Sequence, residues 1–189
     1  MREAETQFRV GKRHDSGTAE PWSSGSITAA TLMDMTMAEL EALYGAGRAP
    51  ESVRALDGSP RGLVPAVAGL DREPIAGLLS RVSSSRHFPW RGKRFESLSD
   101  ERGEGTNRLR GLGDALSFST SIEASAVDGA PCVVLDYDRP ENPWPIRKLR
   151  DELREVGPGL FLGPALLTVR GRKIAILYFA LDFEDSQPA

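Results

Sequence analysis

Apolar and small polar positions alternate along residues 114–126, with Leu116, Phe118, Ile122, Ala124 and Ala126 on one side and Ser117, Ser119, Ser121, Glu123 and Ser125 on the other. A period of two predicts a strand with one apolar and one polar face. Asp128-Gly129 follows, a pair that supplies the positive φ of a hairpin turn, and residues 131–137 return as a β-branched, apolar run. Residues 160–169 and 174–183 predict a second hairpin around Arg170-Gly171-Arg172-Lys173. Its last strand is apolar on both faces until Asp182, which predicts a covered, central position. Between the hairpins, Ile146, Leu149, Leu153 and Val156 fall at steps of three and four and predict an amphipathic helix. Asn142 would cap it, Pro143 and Pro145 fit its first turn, and Gly157-Pro158-Gly159 would end it. Arg147, Lys148, Asp151, Glu152 and Glu155 then form its solvated face, where Glu152→Ala should cost no more than ~0.5 kcal/mol.

Upstream, Thr36-Met37-Ala38-Glu39 is a capping box, predicting a helix to about Tyr44 that closes at Gly45 or Gly47. Residues 53–67 read as extended chain broken by a turn at Asp57-Gly58-Ser59-Pro60, and residues 75–82 as a short helix. Residues 89–95 start a strand in which Gly92 lets another backbone or a ligand approach, while residues 100–106 read as a charged, glycine-rich loop. Residues 1–27 are polar and aperiodic apart from Trp22, as in a flexible tail dispensable for folding. The fold expected is mainly β: an antiparallel barrel or half-barrel with two or three helices, in one domain over residues 28–185.

Composition narrows the function. A net charge of −3 argues against a general nucleic-acid binder. No apolar run approaches the ~20 residues of a membrane span, and the first residues lack a signal-peptide core, so a cytoplasmic location is expected. The one cysteine, Cys132, sits in a predicted strand with nothing cationic beside it in sequence, and reads as a small core residue. Two histidines and one buried cysteine do not make a zinc site, and no cofactor motif is present, so neither metal nor cofactor is expected. His87 is a candidate general base or a plain loop histidine. Asp136 is a candidate acid or base if it faces a barrel interior, and otherwise caps its turn or pairs with Arg147 or Arg150. Trp90, Phe118, Tyr137, Trp144 and Tyr178 supply aromatic surface for core packing or for a flat apolar ligand.

Three short motifs carry a resemblance. Trp90-Arg91-Gly92-Lys93-Arg94-Phe95, Leu135-Asp136-Tyr137-Asp138 with Pro145-Ile146-Arg147, and Leu177-Tyr178-Phe179-Ala180-Leu181 resemble elements of the small bacterial GXWXG/DUF4334-type proteins. The glycine-tryptophan element of that family is degraded here, since Gly58-Ser59-Pro60-Arg61-Gly62 has no tryptophan. The resemblance implies a lipocalin-like barrel enclosing a small molecule and carries over no catalytic residues. The expected function is binding of a small apolar molecule inside the barrel. The alternative is a cofactor-free cyclase or isomerase acting on a polyketide- or terpene-like metabolite in the same cavity. A protein-interaction module using the charged helix and the tail is a third class, and the sequence leaves a homodimer open. Convergent buried ionisable groups would favour the enzyme, and a wholly apolar lumen the binder.

Overall fold

Among the described residues, each of eight antiparallel strands pairs with its neighbour in sequence, and the last returns to the first to close a barrel. The computed structural model describes residues 27–67 and 90–184. The strands are β1 (Arg61–Val67), β2 (Trp90–Ser97), β3 (Arg102–Leu109), β4 (Gly113–Ala124), β5 (Pro131–Asp136), β6 (Leu149–Gly157), β7 (Leu160–Val169) and β8 (Arg172–Asp182). Two short helices, α1 (Ala29–Leu32) and α2 (Met37–Ala46), precede them, with 3-10 turns at Val53–Leu56 and Ile146–Lys148. The antiparallel barrel expected from the alternation is therefore the fold, closed and not half-open. Among the described residues no helix is long and apolar enough to cross a membrane.

Alternation along the strands produces two apolar clusters, one inside the barrel and one outside. Phe95, Phe118, Val133, Leu135, Leu153, Phe161, Phe179 and Leu181 fill the interior, joined by Val53 and Leu56 of the first 3-10 turn. That turn packs at the end where the β2–β3 connection lies, with Val53 N donating to Asp100 O at 2.9 Å. Leu32, Leu40 and Tyr44 from the helices cover Val156, Leu160, Leu162, Tyr178 and Ala180 on the outer wall. Strand β8 is thus buried on both faces through residues 178–181, as its unbroken apolar run predicted. The α2 capping box forms as its sequence requires: Thr36 N donates to Glu39 Oε2 at 2.8 Å, Glu39 N donates to Thr36 Oγ1 at 3.3 Å, and Gly47 closes the helix.

Three expectations from the sequence are corrected: residues 53–56, read as extended chain, form a 3-10 turn, and two longer segments differ as well. The helix expected over residues 146–156 is a single 3-10 turn followed by β6. Leu149 and Leu153, four apart, suit a helix stripe and a strand face equally well. The charged residues supplied the misleading signal, because Asp151, Glu152 and Arg154 are 4 %, 0 % and 1 % exposed. In the strand, Leu149, Asp151 and Leu153 alternate with Arg150, Glu152 and Arg154 across the two faces of the wall. The loop expected over residues 100–106 is mostly strand β3. Its glycines permit close packing: a Cβ on Gly105 would stand 2.6 Å from the Phe118 ring, and one on Gly103 would stand 2.7 Å from Thr120 Oγ1. Gly92 serves the close approach its position suggested, since a Cβ there would collide with the Pro60 carbonyl oxygen. The helix expected over residues 75–82, and the tail as far as residue 26 with Trp22, lie outside the described residues. Ile27 packs against the outer cluster.

The charges of β6 that face outward are the polar seam beneath α2. Glu152 accepts hydrogen bonds from Tyr44 Oη (2.9 Å), Ser125 Oγ (2.5 Å), Ala126 N (2.8 Å) and Arg150 Nε (3.1 Å). Arg154 donates two hydrogen bonds to the Asp128 carboxylate at 2.6 and 2.7 Å, and others to the carbonyls of Tyr44, Ala130 and Pro131. Its guanidinium also stacks 4.4 Å from the centroid of the Tyr44 ring. The first hairpin turn is therefore tied through Arg154 to the helix that covers the wall. Cys132, fully buried beside this seam, has its thiol pushed up to about 12 by burial and then by the charge of Glu152, which suits an inert core residue.

Glu152→Ala removes the carboxylate that Tyr44, Ser125, Ala126 N and Arg150 share in a buried seam, and is expected to lower stability by at least ~3 kcal/mol in urea unfolding. The exposed control Glu101→Ala should stay within ~0.5 kcal/mol, and equal effects of the two would show that the seam is not needed. The Arg154 hydrogen bonds lower the Asp128 carboxyl from its ordinary 3.8 to about 2. A depressed carboxyl stabilises fully above its unfolded value and loses that contribution as pH falls through the folded one. Acid titration should therefore show a loss of stability between about pH 4 and pH 2 that Asp128→Asn flattens.

Candidate functional site

The inward positions of β2, β3, β6 and the segment just past β5 bring polar side chains to one place inside the barrel. Lys93 of β2 lies opposite Asn107 of β3 in register, and Asp151 of β6 opposite Leu135 of β5. Tyr137, one residue past the end of β5, is again on the inward side. Lys93 Nζ donates to Asn107 Oδ1 (3.0 Å), Tyr137 Oη (2.5 Å) and Asp151 Oδ2 (2.8 Å). Tyr137 Oη donates to Asp151 Oδ2 at 3.0 Å and accepts from Asn107 Nδ2 at 3.1 Å. Asn107 also accepts from Trp90 Nε1 at 2.9 Å and donates to the Leu116 carbonyl at 3.2 Å.

Aromatic rings enclose the ammonium. Lys93 Nζ stands 5.6, 5.1, 5.2 and 4.9 Å from the ring centroids of Trp90, Phe118, Tyr137 and Phe179. Those rings meet one another edge-on, Trp90 with Phe179 at 5.9 Å and Phe118 with Tyr137 at 5.3 Å. Three oxygen acceptors within 3.0 Å, inside a shell of ring faces, are the surroundings an ammonium requires once water has gone. Burial pulls Lys93 below its ordinary range, and the charge of Asp151 opposes that pull. Burial, followed by the same carboxylate, raises the Tyr137 hydroxyl well above its ordinary value, so it remains a neutral donor. The arrangement can orient a polar group of a bound molecule, or pass a proton along Lys93, Tyr137 and Asp151.

Of the residues singled out from sequence, Trp90, Phe118 and Tyr137 converge here. Trp144 is 69 % exposed, with Lys148 Nζ 3.8 Å from its ring centroid, and takes no part. Tyr178 faces outward beneath α2, edge-on to Tyr44 at 6.4 Å. Asp136 does not face the interior; it is exposed, and its Oδ1 accepts from Asp138 N at 2.9 Å, which is the turn-capping alternative. Arg147 pairs instead with Asp138, and Arg150 with Glu123 and Glu152. His87 lies outside the described residues. Lys93, Asn107 and Asp151 were missed. Lys93 could have been found by extending the alternation from Phe95, whose side of β2 it shares; Asp151 was hidden by the helix assigned to its segment. Among the described residues, no group of three or more His, Cys, Asp or Glu side chains could hold a metal ion.

No protein-family model matches the chain, and no curated protein does. Among solved structures, a protein from Thermomonospora curvata is similar at 21% identity, over 81% of this chain and 93% of that one, with a TM-score of 0.46.

The ion pair can be tested as a unit. Lys93→Met alone leaves a buried carboxylate without its cation and is expected to cost about 3–5 kcal/mol. Adding Asp151→Leu should recover most of that loss, because an apolar pair of similar volume carries no desolvation penalty. Urea unfolding of wild type, both single variants and the double variant gives the coupling, and additive losses would show that the two charges are independent.

Proposed function

We propose that the barrel interior binds one small, largely apolar molecule and holds it against the Lys93–Tyr137–Asp151–Asn107 cluster. The observation that carries this reading is the placing of a hydrogen-bonded ion pair where a barrel needs only filling. Desolvating two charges gives little or no net stability relative to apolar residues of the same volume, so folding alone does not account for the pair. An eight-stranded barrel is also wide enough for one small ligand. Trp90, Leu116, Ile146, Leu149, Ile176 and Leu177, half-buried against the interior cluster, supply apolar surface for its body. Kinship with the GXWXG/DUF4334-type proteins is part of the proposal: the motifs behind that resemblance contain Trp90, Lys93, Tyr137 and Phe179, which converge on the cluster.

The same cluster supports a second reading, a cofactor-free cyclase or isomerase for a polyketide- or terpene-like metabolite. What favours it is the convergence of buried ionisable groups, the feature expected of an enzyme and not of a wholly apolar carrier: Lys93, Tyr137 and Asp151 are in unbroken contact, and a proton can be held or moved at Tyr137 Oη.

Native mass spectrometry of freshly purified protein should reveal a bound small molecule that is lost on denaturation. Incubating that compound, or its linear precursor, then separates the readings. A carrier leaves it unchanged beyond the buffer rate. An enzyme converts it, and the Lys93→Met/Asp151→Leu variant slows the conversion by ~10²–10⁴. Preparations that never carry an adduct and take up no apolar dye would overturn both.

A further inference from the structure

We infer that the bound molecule presents a hydrogen-bond donor (a hydroxyl, an enol or an N–H) to Asp151 Oδ1, and that carboxylates and simple ethers are rejected. This rests on the proposed use of the interior as a binding site, and it follows from counting the hydrogen-bonding capacity of the cluster. All three protons of the Lys93 ammonium are taken, by Asn107 Oδ1, Tyr137 Oη and Asp151 Oδ2. Tyr137 Oη donates its one proton to Asp151 Oδ2 and receives Lys93 and Asn107 Nδ2 on its two lone pairs. Asn107 is likewise saturated: Oδ1 receives Trp90 and Lys93, and Nδ2 donates to Leu116 O and Tyr137 Oη. The reverse amide orientation would turn its NH₂ toward two donors, so these partners fix it. Asp151 Oδ2 receives both Lys93 and Tyr137.

One position is left open. Among the described residues, no hydrogen bond reaches Asp151 Oδ1, although the residue is only 4 % exposed. A buried carboxylate oxygen without a donor is costly, and the cost is relieved by a donor arriving with a ligand. The sign of the selectivity follows. A carboxylate ligand would bring a second negative charge and find no N–H left on Lys93. An ether would set an acceptor against an acceptor. A site built to hydrogen-bond a donor discriminates strongly against the analogue lacking it, because its own buried group is then left unpaired.

Four probes of one shape test this on the wild-type protein: 1-naphthol, 1-naphthylamine, 1-methoxynaphthalene and 1-naphthoate, titrated at pH 7 with tryptophan emission or calorimetry as the readout. Naphthol and naphthylamine are expected to bind at least ~10-fold tighter than the methyl ether, with naphthoate weakest. Equal binding of naphthol and its ether, or preferred binding of naphthoate, overturns the inference and leaves the interior-binding reading standing. No binding of any probe overturns both. The Lys93→Met/Asp151→Leu variant assigns the effect: in folded protein the advantage of naphthol should shrink to ~2-fold or less while the ether still binds. An undiminished advantage would show that the preference does not come from Asp151. The wild-type ratios decide the donor rule even if that variant does not fold.

Discussion

Closure of the sheet is the constraint on which everything else in the molecule rests. Pairing β1 with β8 from Arg61 opposite Asp182 to Val67 opposite Leu177 removes the free edges a sheet would otherwise expose. It also divides every strand between an inside and an outside, each with its own solvent history. The interior must be filled by side chains or a ligand, and the outer wall must be covered wherever it is apolar. Helices α1 and α2 cover the β6–β7–β8 side, and the Val53–Leu56 turn fills the end beside the β2–β3 connection. The polar cluster lies within what remains, held by side chains from different strands whose spacing is set by the ladder and not by the cluster itself.

The two buried charge systems have different physical characters. Beneath α2, Glu152 and Arg154 each gather several partners, most of them backbone groups and side chains of the first hairpin turn and the helix. That seam fastens covering elements to the wall, and its capacity is used in fastening. Inside, the partners of Lys93 and Asp151 are one another and the polar ends of Tyr137, Asn107 and Trp90. Those groups fasten no covering element, and on that contrast the proposed binding role rests.

Most of the barrel was legible because period-two alternation and turn chemistry are local. Asp128-Gly129 turns with Gly129 at φ 78°, and the β7–β8 turn places Arg170 at φ 50° and Gly171 at φ 77°, so both hairpins are written in a few adjacent residues. β6 was not legible, because the rule that charged residues face water fails where partners come from far along the chain. Tyr44, 108 residues before Glu152, satisfies it, and nothing near either residue announces the contact. β3 was misread for a related reason: glycine signals a loop unless the ring of Phe118, on the next strand, is known to need the space. Of the candidate site, the aromatic members were visible as apolar surface and the ionisable ones were not. Lys93 and Asp151 lie 58 residues apart and meet only once the barrel closes.

The alternating charges of β6 also bear on how the chain finds a single arrangement. In a strand with apolar residues on one face and neutral polar ones on the other, a slip of one residue costs mainly the misplaced apolar side chains. Here the same slip would send Arg150, Glu152 and Arg154 into the lumen and turn Asp151 away from Lys93, breaking ion pairs on both faces at once. The segment that most misleads a reader of the sequence therefore leaves the folding chain the fewest wrong alternatives, and β6 acts as the index mark against which β5 and β7 are aligned.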